Sequence, residues 1–196
     1  MIKKFFLILA ICSSFSLFAK DDHHVEDQPK VIEQTLTLDH FGVLKQKPNG
    51  YLYLDVPNEY ISELLPLIEA PGRIAPPQHY TSKKGIGAHI SVMYENEQID
   101  NEIWEIGELG ETYSFTIKEL RTVKINRNNK TKKLWLIALD SPQLESLRKD
   151  YGLPNRIKGH DFHITLGYQL PAAQNLSEAV EIDCADLDEE VYVEAA

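Results

Sequence analysis

The chain reads HISVMY at residues 89–94 and HITLGY at residues 163–168, and everything else in the sequence arranges itself around this pair. In an extended strand, alternate side chains share a face. His89 and Ser91 therefore point one way, with Ile90, Val92 and Tyr94 behind them. His163 and Thr165 share a face in the same manner, opposite Ile164, Leu166 and Tyr168. Each strand thus offers an imidazole and a hydroxyl on one side and an apolar surface on the other. Both tyrosines are expected on that packing side.

Working outward, the two strands close similar segments. The first begins with Tyr51-Leu52-Tyr53-Leu54-Asp55, alternating as a strand does. Pro57 and Asn58 lead into a helix with Ile61, Leu64, Leu65 and Ile68 at i, i+3, i+4, i+7, which Pro66 should shorten or kink. A loop from Pro71 to Gly87 precedes the histidine strand. The second segment runs Leu134 to Asp140, then Ser141 as N-cap, Pro142 at the first helical position, and Leu144, Leu147 and Tyr151 as the buried stripe. A loop over 152–160 leads to its histidine strand. Between the copies lies a hairpin, Tyr113–Asn126 with Lys132–Asp140, turning at Asn128-Asn129. The pattern predicts an α+β fold over 35–170: two pseudo-symmetric lobes of mostly antiparallel sheet with flanking helices, around a central groove that carries the two His-x-Ser/Thr motifs.

Two His-x-Ser/Thr-x tetrads, HISV at 89–92 and HITL at 163–166, stand 74 residues apart in matching strand, helix, loop and strand contexts. In this the chain resembles the two-histidine (2H) phosphoesterase superfamily, which includes the LigT-like 2′–5′ RNA ligases and the 2′,3′-cyclic nucleotide phosphodiesterases. Ser91 replaces the commoner Thr and keeps the hydroxyl. The resemblance implies that His89 and His163 are an acid–base pair and that Ser91 and Thr165 hold phosphate. The chemistry is consistent with that reading. Opening a cyclic phosphodiester needs a base for water and an acid for the departing sugar oxygen, on opposite sides of phosphorus. An unperturbed imidazole has a pKa of about 6.5, so neutral and protonated copies coexist near neutrality. Which histidine takes which role is open at this level.

Charge sharpens the expectation. The chain has 30 acidic and 20 basic residues, a net charge of −10, and this excludes a broad polyanion-binding surface. Yet Arg73, Lys83 and Lys84 in the first loop, and Arg156 and Lys158 in the second, stand without an acid just before each motif histidine. Lys84, Arg156 and Lys158 are candidate phosphate contacts, and Tyr80 a candidate stacking partner for a base. The hairpin lysines, Lys124, Lys130, Lys132 and Lys133, are expected to be solvated.

The ends read differently. Residues 1–19, with Lys3-Lys4 before an apolar run to Phe18 and then Ala19, have the form of a secretory signal peptide, so the protein is expected to be exported, periplasmic or secreted. Cleavage after Ala19 removes two lysines and no acid, moving the charge from −10 to −12 and leaving Cys184 as the single cysteine. Residues 20–34 read as a disordered segment and 171–196 as an acidic C-terminal segment. No metal site or cofactor is expected. The chain has no phosphate-cradling GxxxxGK[ST] loop and no G-x-S-x-G elbow. The expected partner is a nucleotide or short RNA end, met by a monomer without stable membrane association after cleavage. The alternative is an exported binding protein that captures a phosphorylated ligand or a protein partner without turnover.

Overall fold

A computed structural model describes residues 23–127 and 130–170. The strands are β1 (His23–Val25), β2 (Phe41–Gln46), β3 (Leu52–Asp55), β4 (Arg73–Ala75), β5 (His89–Met93), β6 (Thr112–Ser114), β7 (Thr116–Arg127), β8 (Lys130–Asp140) and β9 (Phe162–Leu170). The helices are α1 (Pro29–Thr35), α2 (Glu59–Ser62), α3 (Gln78–Thr81), α4 (Glu95–Asp100) and α5 (Pro142–Asp150). As Pro66 predicts, the first repeat's helix stops early, giving way to a 3-10 turn at Leu65–Leu67.

All nine strands join one antiparallel sheet in the order β1-β7-β8-β9-β5-β3-β2-β6, with β4 added beside β9. The α+β class and the duplication hold, but the repeats are halves of one continuous sheet. β2-β3-β5 mirrors β7-β8-β9 about the seam where Ile90 pairs with Ile164. The segment between α2 and β5 crosses that seam, since β4 pairs with β9, its Arg73, Ile74 and Ala75 standing opposite Leu170, Gln169 and Tyr168. Gly167 permits this approach, because a Cβ there would stand 2.7 Å from the Ala75 carbonyl oxygen.

One face of the sheet carries the main core. Leu44, Leu52, Leu54, Ile90, Val92, Ile137, Leu139, Ile164 and Leu166 pack there with Val31, Tyr60, Ile61, Leu144 and Leu147 from the helices. The histidines occupy the other face.

Matching irregularities follow the two motifs. Tyr53 pairs with Ser91 but Leu52 with Met93, so Val92 is an extra residue in β5. Leu136 pairs with Thr165 but Trp135 with Gly167, so Leu166 is extra in β9. Each is a β-bulge one residue beyond the motif hydroxyl, and a bulge reverses the alternation downstream. Tyr94 and Tyr168 are thereby turned onto the histidine face, against the expectation from strict alternation. Tyr94 stacks on Tyr51 with centroids 6.0 Å apart, and Tyr168 packs with Leu134, Leu136 and Ala138.

A second correction concerns residues 23–34, which are ordered. β1 adds to the edge of β7, and α1 buries Val31 and Thr35. Its anchors are distant in sequence. Glu26 accepts from Thr122 (2.7 Å) and Lys133 (2.6 Å), while the Gln28 side chain exchanges hydrogen bonds with the Glu69 backbone (2.9 Å each way). The predicted signal peptide, the acidic C-terminal segment and the Asn128-Asn129 turn lie outside the described residues.

The first bulge is held by a wholly buried arginine. Arg148 donates to the Val92 carbonyl (2.5 Å), to the Pro154 carbonyl (2.8 Å) and to both oxygens of Glu97 (2.6 and 3.2 Å), and Glu97 also accepts from the Tyr94 amide (2.9 Å). Removing one member of such a pair strands the other without its countercharge. Arg148→Ala is expected to destabilise the protein by about 3–5 kcal/mol, read as a lowered urea midpoint at unchanged slope.

Candidate functional site

The site is built on the seam between β5 and β9. From the Ile90–Ile164 pair, one step along the antiparallel ladder in each direction sets His89 across from Thr165 and Ser91 across from His163. All four project from the face opposite the core and are half-buried. His89 and His163 are then diagonal neighbours, which antiparallel geometry separates by roughly 7–8 Å. That is the backbone spacing, which long side chains on the same face can span.

Both imidazoles are oriented by the same device. His89 Nδ1 lies 2.9 Å from the Gly87 carbonyl oxygen, and His163 Nδ1 lies 3.2 Å from that of Asp161. A carbonyl can only accept, so each Nδ1 carries the proton and each Nε2 is left as the basic, reactive nitrogen. Ser91 Oγ is 2.5 Å from the Tyr51 hydroxyl, and either oxygen can donate; with Tyr51 donating, the Ser91 hydroxyl is left able to donate to a ligand.

The surroundings of the two rings differ. His89 sits among aromatics: Tyr51 and Tyr53 meet it edge to face at 6.0 and 5.8 Å, and His79 at 4.4 Å, with the Lys47 ammonium over the Tyr51 ring. Asp55, the cross-strand partner of His89, is bonded to Lys45 (2.5 Å). Burial pushes the His89 pKa down to about 4, more than the Gly87 bond raises it, and the Lys47 charge pushes the same way. Burial, then the charges of His89 and Lys47, bring His79 down to about 3. His163 is also lowered by burial, against the bond to Asp161. In the ligand-free protein both site imidazoles are therefore more strongly neutral than unperturbed values suggest.

His163 is backed by charge instead of aromatics. The Asp161 carboxylate receives Lys118 (2.8 Å), Arg121 (2.8 Å) and Arg156. Burial alone would raise this carboxyl, but the hydrogen bonds from Lys118 and Arg121 hold it below the usual range. The network fixes the residue whose main chain holds His163.

Among the other expected site residues, Arg156 bonds to Asp161, to Glu145 (2.9 Å) and to Asp140 (3.1 Å), so three carboxylates share its guanidinium. Tyr80 is partly buried against the hydrophobic core, and its neighbour His79 meets the His89 ring. Lys84 is exposed on the loop after α3, and Lys158 is exposed in a turn with left-handed backbone (φ 50°). Tyr51, Tyr53, His79, Lys47 and Asp161 were not singled out in the sequence; the unbroken tyrosine alternation of β3 beside a histidine strand was the one available signal. The cleft lined by Glu108, Tyr113, Gln143, Leu147 and Asp150 involves none of these residues.

Residues 52–172 match the family model described as the Swiss Army Knife, 2H phosphoesterase domain, which takes in both histidine strands and more than half of the chain. The chain belongs to this 2H phosphoesterase family. Comparison with curated proteins and with solved structures gave no match. The matched span begins at β3 and ends just past β9, so β1, α1 and β2 lie outside it.

The depressed histidines make stability depend on pH. Unfolded imidazoles titrate near 6.5, while folded His89 and His79 titrate near 4 and 3, so the unfolded chain binds more protons between these values. Their contribution is complete above pH 6.5 and is lost as pH falls toward 4. Between pH 7.5 and 5 the loss amounts to about 2 kcal/mol per imidazole. Urea titrations at the two pH values should show it, and the His79→Phe/His89→Gln double variant should flatten most of the slope.

Proposed function

We propose that this 2H phosphoesterase hydrolyses a nucleotide or RNA-end phosphodiester, a 2′,3′-cyclic phosphate or a 2′–5′ linkage, by acid–base catalysis between His89 and His163. The observation that carries the reading is the seam: two antiparallel His-x-Ser/Thr strands in register, each imidazole locked through Nδ1 onto a backbone carbonyl. One neutral Nε2 takes a proton from water as the water oxygen bonds to phosphorus. The bond from phosphorus to the sugar oxygen on the opposite side breaks, and the other ring, protonated, gives its Nε2 proton to that oxygen. Ser91 and Thr165 donate to the non-bridging oxygens as charge builds on them. Free imidazoles this strongly neutral need a source of the acid's proton. A bound phosphate supplies the reason for uptake, since an adjacent anion favours the charged ring.

We propose with it that the chain acts outside the cytoplasm, on the strength of the Lys3-Lys4 head and the apolar run that follows. Turnover of 2′,3′-cyclic nucleotides or short 2′–5′ oligomers by purified protein in EDTA is the expected result. His89→Ala and His163→Ala should each lower kcat/KM by about 10²–10⁴ while leaving the melting temperature near that of the wild type or above it. Full activity in either variant overturns the assignment. Calorimetric affinity for cyclic nucleotides with no turnover would select the binding-protein alternative.

A further inference from the structure

Beside His89 stands a third imidazole that the reaction above does not use. His79 lies on α3, and its ring meets His89 edge to face, with centroids 4.4 Å apart and planes at 76°. Its backbone carbonyl accepts from the Gly87 amide (2.9 Å), and the Gly87 carbonyl in turn accepts from His89 Nδ1 (2.9 Å). One residue therefore holds His89 twice, through its ring and through its main chain. The loop between them is closed on glycines. A Cβ on Gly85 would stand 2.0 Å from the His79 carbonyl oxygen. Gly87 has φ +76°, and a Cβ there would stand 2.5 Å from Asn58 Oδ1.

The remaining surroundings of His89 are Tyr51, Tyr53 and the Lys45-paired Asp55 from β3, Lys47 over Tyr51, and His163 from β9. His163 is backed instead by the Asp161 charge network, and the charges of His160 and Arg121 add to burial in lowering its pKa. Two imidazoles as close as His79 and His89 cannot both be charged cheaply, and their packing excludes the water that would solvate a charge on either.

We propose that His79 is a positioning residue which, by packing edge to face against His89 and holding Gly87, keeps His89 as the neutral Nδ1–H tautomer and so makes it the general base. The acid role then falls to His163; this second half rests on the phosphoesterase reading, whereas the positioning does not. In the step so assigned, His89 Nε2 removes the proton from the attacking water and the oxygen–phosphorus bond forms. The bond from phosphorus to the sugar oxygen breaks, and that oxygen takes the Nε2 proton of His163. His89 then loses its proton to solvent and His163 regains one.

The test is a histidine nitrogen NMR titration of the full chain, wild type beside His79→Ala and His79→Phe, with the pH profile of kcat/KM on 2′,3′-cyclic nucleotides. Wild-type His89 should stay in the Nδ1–H form down to about pH 4. His79→Ala admits water, so the His89 midpoint should rise toward 6.5 by about one unit or more, with mixed tautomers. The acid limb of kcat/KM should move up with it. His79→Phe restores the packed ring and should keep both readouts near wild type; His79→Gln replaces the alanine variant if that chain does not fold. Identical His89 titrations in all chains, or the same shift in His79→Phe as in His79→Ala, overturn the positioning. If the titrations move as expected but no phosphodiester is turned over, positioning stands and the phosphoesterase reading, with the base assignment, falls.

Discussion

A single buried guanidinium joins the two halves of this sheet. Arg148 comes from the helix of the second repeat, yet it donates to Val92, the bulged residue of the first histidine strand, and to Glu97, which caps the Tyr94 amide. It also donates to Pro154, in the segment that leads to the second histidine strand. Burying a charge costs several kcal/mol, and a pair of this kind seldom adds net stability over apolar packing. What it adds is geometry. The fork of donors can be satisfied only if the bulge, the start of α4 and the approach to β9 all stand where they do. The bulge in turn carries Tyr94 onto the histidine face, against Tyr51, whose hydroxyl holds Ser91.

The duplication supplies symmetry of backbone and leaves side chains free to diverge. Both motifs repeat the same elements: a histidine bonded to the carbonyl two residues earlier, a hydroxyl two residues later, and a bulge after that. The neighbours do not repeat. Across from His89 stands the Lys45-paired carboxylate Asp55, and across from His163 stands Ala138. Aromatic rings enclose the first imidazole; the second bonds to the main-chain carbonyl of Asp161, whose carboxylate is shared by three cations. A pseudo-symmetric frame with unlike microenvironments suits the proposed division into one base and one acid, because unlike surroundings bias which ring holds the proton.

How far the sequence could be read follows from the range of the interactions involved. The face shared by His89 and Ser91, and the duplication itself, depend on neighbours within a strand or helix and were legible. Tyr94 and Tyr168 were misplaced because period-2 alternation holds only until a bulge, and the first bulge is pinned by Arg148, 56 positions away in sequence. Residues 23–34 look disordered by composition because their partners, Glu69, Thr122 and Lys133, lie far along the chain. Arg156 looked like an unpaired cation in an acid-free loop. Its three carboxylates come from the end of β8, from α5 and from just before β9, and no local window holds them together. Tyr80 drew attention over His79 because an aromatic in a loop suggests stacking. Only the short helix α3 decides which of two adjacent side chains faces the site.

The pairing of Arg156 changes how phosphate binding must be understood. With Arg121 and Arg156 bound to carboxylates, and Lys45 bound to Asp55, several cations nearest the histidines are already neutralised. In the proposed reaction the groups left to meet a phosphate are then the hydroxyls, the imidazoles, whose pKa values burial lowers, and Lys47, whose charge reaches His89. An anion entering such a site raises the proton affinity of the rings around it, so binding and proton uptake become one event. In the proposed reaction the proton taken up is the one the acid later delivers to the leaving oxygen. On this account the acidic overall charge of the chain is no obstacle, because part of the charge that meets the substrate arrives with it.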